Sequence, residues 1–185
     1  MGEKHIHFSA LTFRLMQHLQ LSGIDASFTF DCGDEDLNEF LLEDARLYGE
    51  QMLAHTFVLT EGKEVVAYYC VLNDKISQTD LDKSLWRKLR KNIPHEKHYD
   101  SYPAVKIGRL AVAKKFSGQN IGSQILQFIK GKLFANIEYS ACRFLTVDAY
   151  REAEHFYTKN GFLPLLKEVS EDQPTTPMYF DLMSL

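Results

Sequence analysis

Apolar side chains recur at roughly helical spacing from Leu11 to Leu21, which predicts a helix over that segment. The stretch FTFDCGDED that follows is rich in turn residues, and Asp34 stands where it can cap the next helix. That helix carries Leu37, Phe40, Leu41 and Ala45 on one face. The runs HTFVLT and EVVAYYCVL are β-branched and aromatic and are joined by EGKE, a hairpin signature. Between Asp74 and Pro103 the pattern turns polar, and the centre of that insertion, SLWRKLRKN, predicts a short helix ending before Pro94.

The apolar rhythm then returns. VKIGRLAV reads as a strand, and Ile121 to about Phe134 as an amphipathic helix with Ile121, Ile125, Phe128 and Ile129 on one side. RFLTVDAY is a further strand, and EAEHFYTKNGF a short helix closed by Gly161 in the left-handed conformation. In TPMYFDL, Met178, Phe180 and Leu182 alternate with Tyr179 and Asp181, which predicts a last strand with one buried side. Hairpin and crossover connections both occur. The predicted class is therefore α+β, or mixed α/β: one domain over residues 1–185, with a central mixed, twisted sheet flanked by helices and a polar insertion at about 74–103.

Composition adds limits. A chain of 185 residues with 45% hydrophobic and 25% charged side chains has the makings of one soluble globular core. A formal net charge of −4 gives no general attraction to nucleic acid or anionic membrane, so such a partner needs a local patch. Cys32, Cys70 and Cys142 are odd in number and far apart, which argues against a disulfide framework and for reduced thiols in a cytoplasmic protein. Neither a signal peptide nor a membrane-spanning run is expected, and Ile6 breaks the myristoylation pattern. HEKH, His95 to His98, is one residue short of a zinc-protease signature, and no metal site is expected. His155 is read as a surface residue, and His55 is assigned nothing.

The loop Ser117–Gly118–Gln119–Asn120–Ile121–Gly122 lies between a strand and a helix. Its glycines remove side chains where a ligand would meet backbone, and amides at a helix start attract phosphate. It is neither a Walker loop nor a dinucleotide fingerprint, and alone it is equally an ordinary strand-to-helix turn.

Together with VDAYREAEHFYTKNGF, this loop resembles the GCN5-related N-acetyltransferase (GNAT) family. The family loop reads Gln/Arg-x-x-Gly-x-Gly/Ala, with Ser117 and Asn120 as departures in this chain. The family helix A-x-x-F-Y-x-x-x-G-F is matched by Ala153, Phe156, Tyr157, Gly161 and Phe162. The segments FDCGDEDLNEFLLEDA and GRLAV are most similar to the subgroup of toxin acetyltransferases acting on aminoacyl-tRNA.

The resemblance implies acetyl transfer from acetyl-CoA to a primary amine on a small molecule, a protein or an aminoacyl-tRNA. It implies that amides from Ser117 through Gly118, Gln119, Asn120, Ile121 and Gly122 to Ser123 hold the CoA diphosphate, and that the pantetheine arm lies beside Leu110, Ala111 and Val112. Tyr157 is then the acid that protonates the leaving thiolate, against a plain core role. Many members carry a strand glutamate as base, but Lys106, Ile107, Gly108 and Arg109 offer no carboxylate. Asp148, grouped here with the cofactor-binding residues, is a candidate helper for deprotonation, against a turn or cap role. Lys114 and Lys115 are candidates for the 3′-phosphate of CoA.

The basic run Lys83, Arg87, Lys88, Arg90 and Lys91 is either a solvated helix face or a contact surface for RNA phosphates or an acidic partner, with Trp86 packing inward. An exposed edge near the last strand would suit a homodimer. The alternative to an enzyme is a catalytically weak CoA-binding module, suggested by Ser117, Asn120 and the missing strand carboxylate.

Overall fold

The computed structural model describes residues 17–20, 28–91, 93, 99–135, 141–166, 170 and 172–185. Among them seven strands run in the order β1-β2-β3-β4-β5-β7-β6. The chain divides into two compact units, Met1–Leu72 with Gly108–Phe128, and Asn73–Ile107 with Ile129–Leu185.

In the first unit, β1 (Gln17–Gln20) pairs antiparallel with β2 (His55–Glu61), Gln17 facing Thr60 and Gln20 facing Phe57. This corrects the expected helix over 11–21: residues 17–20 are a strand, and the rest lies outside the described residues. The pairing offered by β2 overrides a weak local helical pattern, since propensity is a small term beside tertiary context.

Asp34 caps α1 (Glu35–Glu39), its carboxylate accepting the Leu37 N–H at 3.0 Å. A π-helical turn, Phe40–Asp44, leads into α2 (Ala45–Glu50), and Phe40, Leu41 and Ala45 are buried as the spacing required. The Tyr68 hydroxyl on β3 (Glu64–Ser77) donates to the Leu37 carbonyl at 2.6 Å, which fastens α1 to that strand. Strands β2 and β3 form the expected hairpin, with Gly62 at φ +61° in the turn.

In the second unit, the N-terminal half of β4 (Ser101–Val112) lies parallel to β5 (Phe144–Tyr150), Ala104 facing Phe144 and Ile107 facing Val147. Strand β7 (Thr175–Asp181) runs antiparallel to β5 and carries the two-residue β6 (Leu163–Pro164) on its other side. The edge anticipated at β7 is therefore covered at Met178 and Tyr179 by β6, whose Pro164 cannot donate to a further strand.

The insertion is shorter than its polarity suggests, because β3 runs on to Ser77 and β4 begins at Ser101. Helix α3 (Lys83–Arg90) packs Trp86 and Leu89 into a cluster with Tyr102, Phe144 and Tyr179. The Trp86 and Tyr102 rings stand 5.1 Å apart, and Phe144 meets Tyr179 edge to face at 6.0 Å. Tyr179, expected on the open side of β7, is thus 3% exposed: this strand has both sides covered, so strict alternation fails.

Candidate active site

The phosphate-loop candidate belongs to the first unit. After β4, Lys114–Phe116 make a single 3-10 turn in which the Ser117 N–H donates to the Lys114 carbonyl at 3.1 Å. The chain then turns into α4 (Ile121–Ala135) through two left-handed residues, Gly118 at φ +78° and Asn120 at φ +61°. Asparagine adopts that region more readily than other non-glycine residues, so Asn120 keeps the backbone path where the family pattern has glycine.

Among the described residues, the amides of Gly118 to Gly122 donate to no backbone carbonyl, and the helical ladder starts with Gln124 N–H to Asn120 at 3.2 Å. A Cβ on Gly118 would meet nothing within 4 Å, so the backbone lies open. Successive open amides at the positive end of a fifteen-residue helix are what a diphosphate requires. Ser117 differs from its neighbours, because its amide is already bound. Beside the loop, Leu110 and Val112 are half-buried and Ala111 is buried.

The loop has a fixed footing. Asp31 accepts the Lys114 amide on its carbonyl at 2.9 Å and the Lys114 ammonium on its carboxylate at 3.1 Å. The same side chain accepts the Gly33 N–H at 2.8 Å, and these donors hold the Asp31 carboxyl below the usual carboxylate range. Gly33, at φ +97°, brings its backbone against the Lys114 stem, where a Cβ would lie 2.7 Å from Cε. The FDCG segment thus supports the turn that precedes the candidate phosphate loop. Lys115 pairs with Glu64 at 2.7 Å, so both lysines expected near the 3′-phosphate are engaged within the protein.

Arg109, in the β4 stretch that offers no carboxylate, lies over the Phe40 ring at 5.1 Å and within 3.6 Å of Asp36. Cys70 is buried, and burial pushes its thiol up to about 11, so it is an inert neutral thiol near neutrality.

The acid candidate belongs to the second unit. Tyr157 sits on α5 (Glu154–Lys159), 6% exposed, between Phe156 at 5.1 Å and Phe162 at 5.4 Å, both edge to face. The helix ends at Asn160, and Gly161 at φ +85° turns the chain so that the Phe162 N–H returns to the Tyr157 carbonyl at 3.1 Å. Burial raises the Tyr157 phenol well above its ordinary range, which keeps the hydroxyl protonated at any physiological pH.

Asp148 is neither turn nor cap. It lies within β5 opposite Pro177, is exposed, and takes the Lys106 ammonium at 2.6 Å. His155 and His55 are exposed, while His95 and His98 lie outside the described residues. No described helix is long and apolar enough to cross a membrane.

Sequence reasoning passed over Lys130 of α4, because a lysine in a helix is ordinarily solvent-facing. It is 2% exposed, donates to the Asn160 carbonyl at 2.6 Å and lies over the Phe180 ring at 3.7 Å.

A family model described as an acetyltransferase (GNAT) domain matches residues 52–164, and the chain belongs to that family. It is therefore an N-acetyltransferase that moves an acetyl group from acetyl-CoA to an amine, with the open amides of its loop suited to the donor. Within the family it is similar to proteins described by their action on or complex with tRNA. It is 26% identical over 165 residues to a tRNA-acetylating toxin of Mycobacterium tuberculosis, covering 89% of each chain.

Among solved structures, AtaT complexed with acetyl-methionyl-tRNAfMet superposes with a TM-score of 0.71 at 26% identity, over 91% of this chain and 96% of that one. A tyrosine-to-phenylalanine mutant of the AtaT toxin, bound to the C-terminus of the antitoxin AtaR and acetyl-CoA, gives a TM-score of 0.66 at 22% identity, over 91% and 93%. The antitoxin is a partner of that neighbour, and no partner of that kind was among the expectations drawn from this sequence.

Proposed function

We propose that this chain acetylates the α-amine of an aminoacyl-tRNA. The observation that carries the reading is the likeness, over most of both chains, to proteins described by their action on or complex with tRNA. The basic face of α3 supports it. Gln78, Lys83, Trp86, Arg87, Arg90 and Lys91 line an open groove, and Arg87 and Lys91 are exposed on a chain that is acidic overall. Such a local patch suits RNA phosphates where net charge does not.

In the proposed reaction the amine nitrogen attacks the thioester carbonyl, the C–N bond forms and the C–S bond breaks. Amides of the Gly118–Ser123 segment hold the diphosphate, and β4 at Leu110–Val112 aligns the pantetheine arm. The Tyr157 hydroxyl donates to the departing sulfur. With a thiol near 8.5, the raised phenol is the weaker acid, so it first acts as a neutral donor to developing charge and releases its proton late. The proton lost by nitrogen, carried by water, restores it. An α-amine titrates near pH 7.7–8.0, so part of it is neutral without a protein base. Asp148, tied to Lys106, has no part in this scheme.

An acetylated α-amine cannot form a peptide bond, so the protein would stall translation in the cytoplasm and need a restraining partner of the antitoxin kind. The test is thiol release from acetyl-CoA across aminoacyl-tRNA, a polyamine and a peptide N-terminus. Turnover on aminoacyl-tRNA is expected; turnover on another amine with none on aminoacyl-tRNA refutes the acceptor. Reversing Arg87 and Lys91 to glutamate is expected to raise KM for aminoacyl-tRNA about tenfold at low salt, with KM for acetyl-CoA unchanged. Two lost phosphate contacts account for an effect of that size, which fades as salt rises. Equal KM values for the variant and the parent would remove α3 as the docking surface.

A further inference from the structure

We propose that Lys130 is a positioning residue for acetyl transfer: its ammonium pins the Asn160–Phe162 turn and so fixes the Tyr157 side chain for proton donation. The inference rests on the reading of Tyr157 as the proton donor.

The geometry links the two residues through short contacts. Lys130 Nζ donates to the Asn160 carbonyl at 2.6 Å. Asn160 in turn ties back to the helix, its N–H to the Tyr157 carbonyl at 3.0 Å and its side-chain Nδ2 to the Phe156 carbonyl at 2.8 Å. The same ammonium lies 3.7 Å from the Phe180 ring centre and 5.2 Å from that of Phe162. Phe162 is the ring packed edge to face on Tyr157, and its N–H is bound to the Tyr157 carbonyl. One buried cation therefore holds both the backbone turn after Tyr157 and the ring beside it.

No carboxylate pairs with Lys130 among the described residues. The charged groups on the elements around it are otherwise engaged or exposed. On β7, Asp181 takes Arg143 at 2.8 Å. On α5, Glu154 pairs with Arg151 at 3.4 Å. Lys159 of α5 and Lys132 of α4 are exposed. A buried ammonium held only by a carbonyl and two rings is unfavourable for stability, and methionine would fill much the same volume without that cost. A charge kept against stability is accounted for by what it orients.

Two opposite pH trends distinguish this from a packing role. Burial lowers the Lys130 ammonium to about 8, below its value in the unfolded chain. The unfolded state then binds more protons between pH 8 and 10, so the contribution of Lys130 makes the fold more stable as pH rises there. Over the same interval the ammonium loses its charge, its grip on Asn160 weakens, and turnover falls.

The experiment compares the parent with Lys130→Met, Lys130→Arg and Tyr157→Phe, using acetyl-CoA and methionyl-tRNA from pH 6.5 to 9.5. Lys130→Met is expected to lose about tenfold in kcat at pH 7, with KM for acetyl-CoA within twofold and no fall above pH 8. Lys130→Arg is expected to restore kcat and to move the alkaline fall upward by more than one pH unit. If Tyr157→Phe keeps parental kcat, the proton-donor reading fails and this inference with it. If Tyr157→Phe is slow while Lys130→Met keeps parental kcat and pH profile, the positioning role alone is refuted.

A second measurement needs no acceptor and serves if the methionine variant does not fold or methionyl-tRNA is not used. In tyrosine labelled with 13C at Cζ, the Tyr157 resonance, assigned through Tyr157→Phe, should inflect near pH 8 in the parent and not in Lys130→Arg. An identical pH response in both proteins overturns the proposal.

Discussion

Tyr157→Phe is expected to lower kcat at least a hundredfold while leaving the thermal shift caused by acetyl-CoA intact. A positioned acid contributes on the order of 10²- to 10⁴-fold to a rate, and the phenol is the proton donor proposed for the thiolate. The ring itself stays, and with it the edge-to-face packing against Phe156 and Phe162. Removing one buried oxygen changes stability by about 1 kcal/mol at most, so a melting temperature near that of the parent is expected. KM for acetyl-CoA should stay within twofold, because the segment proposed to hold the donor is a different one. A variant with parental kcat would mean that Tyr157 is only a core aromatic. Expression in a bacterial host gives a parallel readout, with growth arrest expected for the parent and relieved in the variant.

Gly118→Val strikes the other half of the chemistry. At φ +78° a β-branched residue is strained by about 1–2 kcal/mol, although no neighbouring atom obstructs a Cβ there. The loop is expected to relieve that strain by rotating its peptides, which turns amides away from the diphosphate. Hydrogen bonds to charged groups are worth about 1.5–3 kcal/mol each, so losing one should raise KM for acetyl-CoA roughly 10- to 150-fold. Little change in kcat at saturation is expected, which separates this variant from Tyr157→Phe. Asn120→Gly, by contrast, should be near neutral, since Asn120 already holds the left-handed conformation at φ +61°. An unchanged KM in Gly118→Val would place the diphosphate elsewhere.

Much of this was legible from pattern. The β2–β3 hairpin, α4, β5 and the Gly161 stop follow from periodicity and turn chemistry, which are local and strong in those segments. Gln17–Gln20 was not legible as strand, because only pairing with β2 makes it one. Tyr179 was misplaced because alternation assumes one open face, and the cluster around Trp86 and Phe144 covers the face that Tyr179 occupies. Within the candidate site, motif alone marks the loop and Tyr157, and the roles given to them are proposals. The engagement of Lys114 with Asp31 could not be marked that way, since the two residues meet only through the fold. The ion pair of Asp148 with Lys106 was hidden for the same reason, since it depends on the parallel pairing of β4 and β5. Lys130 defeated pattern reading outright, because residue type predicts solvent and the fold encloses it.

The amides from Gly118 to Gly122, proposed to hold the diphosphate, carry no feature that would discriminate among tetrahedral anions. On that proposal, inorganic phosphate or sulfate in a buffer is expected to act as a weak competitor. The apparent donor KM should therefore climb with the concentration of such salts and be lowest in a zwitterionic medium free of them.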